Sequence, residues 1–229
     1  MSEFKGFPKD FFSFFRQLKK NNNREWFTAN KGRYQESVVR PMSDFITSMA
    51  PQLKSIAPSY IADPRAHGGS MFRIYRDTRF SKDKTPYKTH AACHFRHQAG
   101  RDAHAPGFYL HIETNGLSIG GGIWRPPSKQ LGMIREFIVD NPAAWEKLVQ
   151  LPEVKDIGGI QGDSLSRPPR GYQADARHIE YLKRKSFYLM TGFDAKLALG
   201  PALVTESVRV FRTAAKLNRF ISDALELPF

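Results

Sequence analysis

The sequence predicts an α+β fold, a single domain in which a mainly antiparallel sheet of about four to five strands packs on helices from both ends of the chain. Apolar residues at helical spacing fill the first 50 residues and much of the chain after residue 127. Between them, apolar and polar residues alternate as they do in strands. No repeat or linker divides the 229 residues. We therefore expect a helical N-terminal part (8–50), a sheet (70–125) and a helical C-terminal part (127–229).

Two helices are predicted at the start of the chain. The first covers Pro8–Lys20 and ends at three asparagines (21–23), where an asparagine can cap the next helix. The second runs from Arg24 to about Ala50. Pro41 removes one backbone hydrogen bond from this helix, so we expect a kink or a restart near Arg40.

Four strands are predicted after a connection rich in proline and glycine (50–70), and they are Met71–Arg76, Lys88–Arg96, Gly107–Glu113 and Leu117–Trp124. The dipeptide Asn115–Gly116 predicts a tight turn between the last two, because both residues tolerate positive φ. Phe187–Met190 is a candidate fifth strand.

The C-terminal part is predicted to be helical with one long irregular segment. Helices begin near Pro126 and at Asn141–Pro142, where asparagine caps well and proline suits the first turn. Leu151–Tyr172 is longer than most connections, which indicates function or mobility. A short helix follows at Ala174–Lys185, and Gly200–Pro201 introduces the last helix.

The net charge of +13 is the most unusual feature of the composition. It favours an anionic partner such as a small molecule, nucleic acid or a membrane surface, although the excess could also be spread evenly over the protein. No apolar run is long enough to span a membrane, and the first residues lack a signal-peptide pattern. Together with the single cysteine, Cys93, this predicts a cytoplasmic protein without a membrane partner.

Alternation along the strands sorts their side chains into two faces. The apolar face, expected to meet the helices, comprises Ala91, Cys93, Phe95, Phe108, Leu110, Ile112, Leu117, Ile119 and Ile123. The other face carries Lys88, His90, His94, Arg96, Tyr109, His111, Glu113, Ser118, Gly120, Gly122 and Trp124. A solvated sheet face is one interpretation. The concentration of His, Tyr and Glu beside glycines favours a binding surface.

Residues 73–88 carry a net charge of +4, from six basic and two acidic side chains. As a loop they would close over one end of the polar sheet face. Arginine matches carboxylate or phosphate oxygens with its planar fork, and lysine supplies a point charge. Asp77 and Asp83 could hold these basic side chains in place or act as proton carriers. In the alternative interpretation the charges satisfy one another and only shape the loop.

No metal site and no cofactor are predicted. His90 and His94 would lie roughly 13 Å apart on one strand, and His97 points to the opposite face, so one ion cannot bind all three. His111 and Glu113 share a face and could position a water molecule or an ion. The glycines 120–122 lack the Lys-Ser/Thr of a phosphate-binding loop and the spacing of a dinucleotide fingerprint.

Several segments together resemble a conserved family of uncharacterised proteins from bacteria and fungi, catalogued as a domain of unknown function. The segments are REWF (24–27), RDTRFSKDKTPYKTH (76–90), GFYLHIE (107–113), GGGIW (120–124), PRGY (169–172) and KRKSF (183–187). The resemblance spans nearly the whole chain. It implies a single-domain cytoplasmic protein and assigns no activity, cofactor or catalytic residue. Arg167–Tyr172 and Lys183–Lys185 lie in or beside such segments and could complete a basic pocket.

These observations favour a basic pocket for a phosphorylated or carboxylated small molecule, in a protein that could be an enzyme working without a metal. The residues expected to bind the anion are Arg73, Arg76, Arg79, Lys84 and Lys88, with Tyr87 and Tyr109 packing or hydrogen-bonding. The catalytic candidates are His111 and Glu113 as an acid–base pair, with Asp77 as a further one. The alternative is a nucleic-acid-binding module, in which the basic side chains contact phosphates and the aromatic side chains stack on the nucleobases. No feature of the sequence favours a third option, a protein–protein adaptor.

Overall fold

The structure, a computed structural model, describes residues 4–100 and 105–229 and has the predicted α+β fold. The α-helices are α1 (Lys9–Lys20), α2 (Arg24–Ala29), α3 (Lys31–Tyr34), α4 (Arg40–Ile56), α5 (Ser128–Asp140), α6 (Pro142–Gln150), α7 (Pro152–Asp156), α8 (Ile179–Leu182) and α9 (Ala202–Ala224). A π-helical turn (Gln35–Val39) leads into α4, and a 3-10 helix (Ala195–Leu199) precedes α9. The strands are β1 (Tyr60–Ile61), β2 (Ala91–His97), β3 (Gly107–Ile112), β4 (Leu117–Ile123) and β5 (Phe187–Phe193).

The five strands form one antiparallel sheet in the order β1-β2-β3-β4-β5, so each lies beside its neighbours in sequence. β1 is a two-residue strand that pairs with the end of β2. Across the centre of the sheet, His94 lies opposite Tyr109, Tyr109 opposite Gly120, and Gly120 opposite Met190. Because paired residues point to the same side, these residues from four strands share one face.

The prediction of a first strand at Met71–Arg76 is wrong. This segment makes only isolated bridges, one to Cys93 in β2 and one to Tyr87, so it changes partner part-way along its length. The Arg76 N–H donates to Pro86 O over 2.9 Å. Because Pro86 has no N–H, the ladder cannot continue from there.

The tight turn predicted at Asn115–Gly116 is present but differs in detail. The Glu113 N–H donates to Gly116 O over 2.8 Å and encloses the two residues between them. None of the turn residues has a positive φ, so the property that prompted the prediction is not used. The turn places Glu113 at the end of β3, beside His111.

Helix α9 covers the apolar face of the sheet. Its Phe211 ring packs against Phe108 at 5.0 Å and against Phe95 at 5.6 Å between centroids. The buried Asn218 amide of the same helix donates to Gly107 O over 3.1 Å and ties the helix to β3. Helices α4 to α7 pack against α9 in turn, and the hydrophobic core lies mainly on this side of the sheet.

The N-terminal helices form a phenylalanine-rich layer that continues this core, with Phe11, Phe14 and Phe15 fully buried in α1. The predicted cap is present, since the Asn23 side chain accepts from the Trp26 N–H. The break expected near Arg40 takes the form of the π-helical turn, and α4 continues to Ile56, beyond the predicted end. Asp10 accepts two bonds from Arg33, at 2.6 and 2.8 Å, and one from Ser37 of the π turn at 2.7 Å, which holds α1 against this irregular region.

The irregular segment predicted at Leu151–Tyr172 contains α7 and then runs along the outer side of β5. Gln161 and Tyr188 form a bridge, in which the Gln161 N–H donates to Tyr188 O over 2.7 Å. Ser164 forms a second bridge with Arg184. Of the predicted helix Ala174–Lys185, only α8 is helical.

None of the helices in residues 4–100 and 105–229 has the combination of length and apolar character that crossing a membrane requires.

Candidate functional site

The sheet has a buried face and an open face, and the alternation predicted both. The residues of the predicted apolar face are all less than 9% exposed. On the open face, His94, Tyr109 and His111 are half-buried, and Trp124 is 62% exposed. His97 lies on the helical side, where its Nε2 atom is 2.6 Å from Pro228 O.

A groove of about 900 Å³ runs along the open face of the sheet. At one end the rings of Phe72 and His94 lie parallel within 6°, with centroids 6.3 Å apart, and Tyr109 packs edge-on against both. At the other end Trp124 and Tyr188 lie 5.3 Å apart. Flat rings therefore line the groove from end to end.

Among the residues that the structure describes, Arg96 provides the one guanidinium of the groove lining. No Asp or Glu is present among the described residues that line it, and Arg96 makes no ion pair within the part of the chain that the structure describes. Burial and, to a smaller extent, the Arg96 charge together lower the pKa of His94 to about 4, so this imidazole is neutral at pH 7. The groove thus offers uncharged flat surfaces and one unpaired cation.

Tyr109, His111 and Glu113 form a hydrogen-bonded chain that leads from the groove to the end of β3. The Tyr109 hydroxyl lies 3.0 Å from His111 Nδ1, and His111 Nε2 lies 2.9 Å from a Glu113 carboxylate oxygen. The carboxylate orients the imidazole, and the imidazole can exchange a proton with the hydroxyl. Burial raises the pKa of Tyr109 to about 12, so the hydroxyl is protonated at neutral pH.

His90 joins this chain from the residue before β2. Its ring lies 4.2 Å from that of His111, measured between centroids. One donor atom from each of His90, His111 and Glu113 lies within 4.8 Å of the other two. The pKa of His90 is lowered to about 4. Burial is the largest cause, and the neighbouring His111 and Lys88 lower it by smaller amounts.

The basic loop is largely satisfied by its own partners. Arg76 pairs with Asp83 and Thr85. Lys84 donates to Thr78 O over 2.9 Å. The Thr85 N–H and the Arg76 guanidinium lower the pKa of Asp83 to about 2, so this carboxylate stays charged. These contacts fit the interpretation in which the charges shape the loop.

Three more of the predicted site residues, Asp77, Arg79 and Lys88, have partners for their side chains within this segment. Lys88 donates to Arg73 O over 2.8 Å, and its ammonium lies 5.4 Å from the centroid of the Phe72 ring. Arg79 forms a bidentate pair with Asp77 at 2.7 and 3.0 Å, which lowers the pKa of that carboxyl.

The structure brings together only part of the predicted site. Tyr109 and His111 line the groove, with Glu113 next to His111. Arg76, Tyr87 and Lys88 line a separate hollow of about 410 Å³ that also contains His90. Tyr87 is 5% exposed and its ring stacks on Phe27 at 4.2 Å, so it acts mainly in the core. Arg73, Asp77, Arg79 and Lys84 line neither cavity.

Several groove residues were not among the predicted ones. Arg96 and Trp124 lie on the open face that alternation assigns to them, and this signal could have identified both. Tyr188 and Gln161 come from β5 and from the segment along its outer side. No local pattern shows that these elements close the groove, because only the register between distant strands places them there.

The comparisons with known proteins give a family and no activity. The model of a family described as a conserved hypothetical protein, DUF2461, matches residues 10–220. The search of curated proteins and the search of solved structures each found no match.

Proposed function

We propose, for a chain that belongs to the DUF2461 family of conserved hypothetical proteins, that the groove on the open sheet face binds a small molecule with a flat unsaturated part and a carboxylate or phosphate group. The flat part lies against the rings of the groove. The anionic group lies at Arg96. The observation that carries the proposal is a guanidinium without an ion pair in a groove whose described lining residues include several rings and no carboxylate.

The ring lining supports the flat part of the ligand. Pockets for small molecules are mostly apolar and aromatic with a few polar groups that fix orientation. Here Phe72, Tyr109, Trp124 and Tyr188 provide the surface, and the groove volume of about 900 Å³ lies in the range of such pockets.

The charge distribution supports the anionic part. Arginine binds carboxylate and phosphate with two parallel hydrogen bonds, and Arg96 makes no ion pair that would compete within the described residues. The anion-binding role predicted for Arg73, Arg76, Arg79, Lys84 and Lys88 stays a prediction. The internal bonds of the loop favour Arg96 over Arg76, Arg79, Lys84 and Lys88. Arg73 is disfavoured because it lines neither the groove nor the hollow.

The Tyr109 hydroxyl is the polar group best placed to contact the ligand between these two parts. It projects from the groove floor and is hydrogen-bonded to His111. A ligand that lies against Tyr109 could exchange a proton through this hydroxyl. The cytoplasmic location expected from the sequence fits a ligand drawn from the soluble small molecules of the cell.

Thermal denaturation with a panel of probes tests the proposal. AMP and phenyl phosphate carry both a ring and an anion, adenosine carries only the ring, and inorganic phosphate only the anion. We expect a saturable rise in Tm with at least one two-part probe and a smaller rise with either part alone. In the Arg96→Ala variant the apparent Kd for that probe should increase at least tenfold.

Arg16→Ala is the matched control, because it removes the same charge from the exposed side of α1. It should leave the Kd unchanged. The proposal is wrong if no ring-bearing anion raises Tm, or if Arg96→Ala binds the probe as tightly as Arg16→Ala does.

Single-stranded nucleic acid is a second candidate, favoured by the exposure of Trp124. Its indole is 62% exposed, and the Arg125 guanidinium carbon lies 5.5 Å from the centroid of its ring, an arrangement on which a base could stack. Binding of an oligonucleotide should then weaken with salt, with a log–log slope of about −0.7 per neutralised phosphate. A slope near zero, or no binding of a fluorescent oligonucleotide at low salt, excludes this candidate.

A further inference from the structure

Three donors from separate parts of the sequence meet at the end of the open sheet face. His90 precedes β2, His111 lies in β3 and Glu113 follows β3. One donor atom from each lies within 4.8 Å of the other two, and the His111 and Glu113 atoms are 2.9 Å apart. Donors bound to one zinc ion at about 2.0–2.2 Å stand roughly 3.3–3.6 Å apart. Small side-chain rotations would bring all three donors to that separation.

We propose that His90, His111 and Glu113 bind one divalent first-row transition metal ion, with Zn²⁺ the best match. Two imidazole nitrogens and one carboxylate are a common ligand set for such ions. Ca²⁺ and Mg²⁺ prefer sites made of oxygen atoms, so the two nitrogens disfavour them. This revises the expectation of no metal, which tested His90 with His94 and His97 and treated His111 and Glu113 as a separate pair.

Tyr109 is placed to hold the His111 ring in the orientation that binds the ion. Metal-bound histidines generally donate the second ring N–H to a fixed acceptor, which sets the tautomer and the ring orientation. The Tyr109 oxygen lies 3.0 Å from His111 Nδ1, while Nε2 faces Glu113. When Nε2 binds the ion, Nδ1–H can donate to the Tyr109 oxygen without a change in ring position.

The proposed ion would have an open position. Three protein ligands leave at least one coordination site for water or an exogenous ligand. His111 lines both the groove and a neighbouring cleft of about 700 Å³ that includes Glu113, and His90 lines the basic hollow. The Glu113 side chain is 52% exposed, which gives the ion a path from solvent. The site does not require a ligand in the groove, and Arg96 is not part of it.

The positive charge of Lys88 should weaken binding of the ion, because it acts on the ligand His90. The Lys88 ammonium is held by Arg73 O. Arg76 in the same hollow is already paired with Asp83. Removal of the Lys88 charge should therefore tighten metal binding. A purely structural role for the cluster would not produce this gain.

Co²⁺ titration of the full chain after removal of metals with a chelator tests the site directly. We expect visible d–d absorption that saturates at one ion per chain and is displaced by Zn²⁺. This measurement needs no variant, so a failure to fold cannot obscure it. Absence of Co²⁺ and Zn²⁺ binding by the wild-type chain would overturn the proposal.

Variants then assign the ligands. His90→Ala and Glu113→Gln should each weaken Zn²⁺ binding at least tenfold, and Tyr109→Phe should weaken it about tenfold to a hundredfold. Lys88→Met, which keeps most of the side-chain stem, should strengthen it several-fold. His67→Ala removes an exposed histidine as the matched control and should change nothing.

Unchanged affinity in both His90→Ala and Glu113→Gln would overturn the assignment, as would an equal loss in His67→Ala. Binding is measured with no probe in the groove. Trp124→Ala and Arg96→Ala should retain the ion, so the outcome is separate from that of the proposed ligand binding.

Discussion

The imidazole of His94 occupies the space that a side chain at Gly107 would need. A Cβ built on Gly107 would lie 1.9 Å from His94 Nε2. The missing side chain lets the His94 ring lie across the neighbouring strand and stack beside Phe72. The floor of the groove at this end therefore depends on a glycine in the adjacent strand.

Replacement of Gly107 by alanine should disturb this floor. The new methyl group forces the His94 ring out of its position, and overpacking of this kind costs about 1–3 kcal/mol. Urea denaturation measures the loss in the free energy of unfolding, and the probe should bind less tightly because the displaced ring fills the groove.

Gly132→Ala is a control that should change the free energy of unfolding in the opposite direction. Gly132 lies inside α5, and a Cβ there has no atom within 4 Å. Alanine should raise the free energy of unfolding by about 0.5–1 kcal/mol. If Gly107→Ala proved equally stabilising, the described contact with His94 would be wrong.

Stability should fall in mild acid because of His94. Burial lowers its pKa in the folded protein to about 4, whereas the unfolded value is the ordinary 6.5. The unfolded chain therefore binds the proton first, and the contribution is complete above pH 6.5 and decreases as the pH falls toward 4. The full effect is at most roughly 3 kcal/mol, from 1.36 kcal/mol per unit. Arg96 and Tyr109 are the other titratable groups that face this ring.

Urea denaturation between pH 7 and pH 4, with a chelator present, measures this dependence. His94→Gln should show a shallower decrease than the wild type, since the substituted side chain does not titrate. Identical pH profiles for the two proteins would show that His94 does not titrate as described.

Trp124→Ala should separate ligand binding from stability. The indole is 62% exposed, and exposed substitutions usually change stability by no more than about 0.5 kcal/mol. Tm should stay within about 2 °C, while the two-part probe should bind at least tenfold more weakly. A large fall in Tm would mean that the Trp124–Tyr188 contact is structural.

The two arginines of the loop should differ in their effect on stability. Arg79 forms an exposed pair with Asp77, so Arg79→Ala should cost about 0–1 kcal/mol. Arg76 is more buried and holds both Asp83 and Thr85, so Arg76→Ala should cost about 1–2 kcal/mol. Neither should change the Kd of the groove probe. If Arg79→Ala weakened binding as much as Arg96→Ala, the anion would lie on the loop.

The Asp10–Arg33 pair should couple α1 to α3, which directly precedes the π-helical turn. Asp10→Ala removes the two charge-assisted bonds from Arg33, and we expect a loss of about 1–2 kcal/mol in the free energy of unfolding. A double-mutant cycle with Arg33→Ala checks that the loss belongs to the pair. Additive effects of the two substitutions would show that the pair contributes nothing.

The sequence was sufficient to predict the two faces of the sheet. Alternation is a local property, so Phe108 and Tyr109 could be assigned to opposite sides without knowledge of any partner strand. The chain of Tyr109, His111 and Glu113 follows from the same property, because the three residues share one face of one strand end.

The remaining part of the site depends on contacts between distant segments. His90 meets His111 only because β2 and β3 pair in one register, and the connection between them gives no local signal of that register. The strand predicted at Met71–Arg76 failed for a related reason, since its composition suits a strand while its partners change along its length. The sequence showed the charge of the loop and allowed internal pairing as one of two interpretations, but it did not show that Arg76 pairs with Asp83 and Arg79 with Asp77.

The bridge from Gln161 to Tyr188 on the outer side of β5 has a consequence for the behaviour of the protein in concentrated solution. An unprotected sheet border offers free N–H and C=O groups to which another molecule can add a strand. Here the segment after α7 occupies part of that border, through Gln161 and Tyr188. Self-association along the part of β5 around Tyr188 would first require this segment to detach.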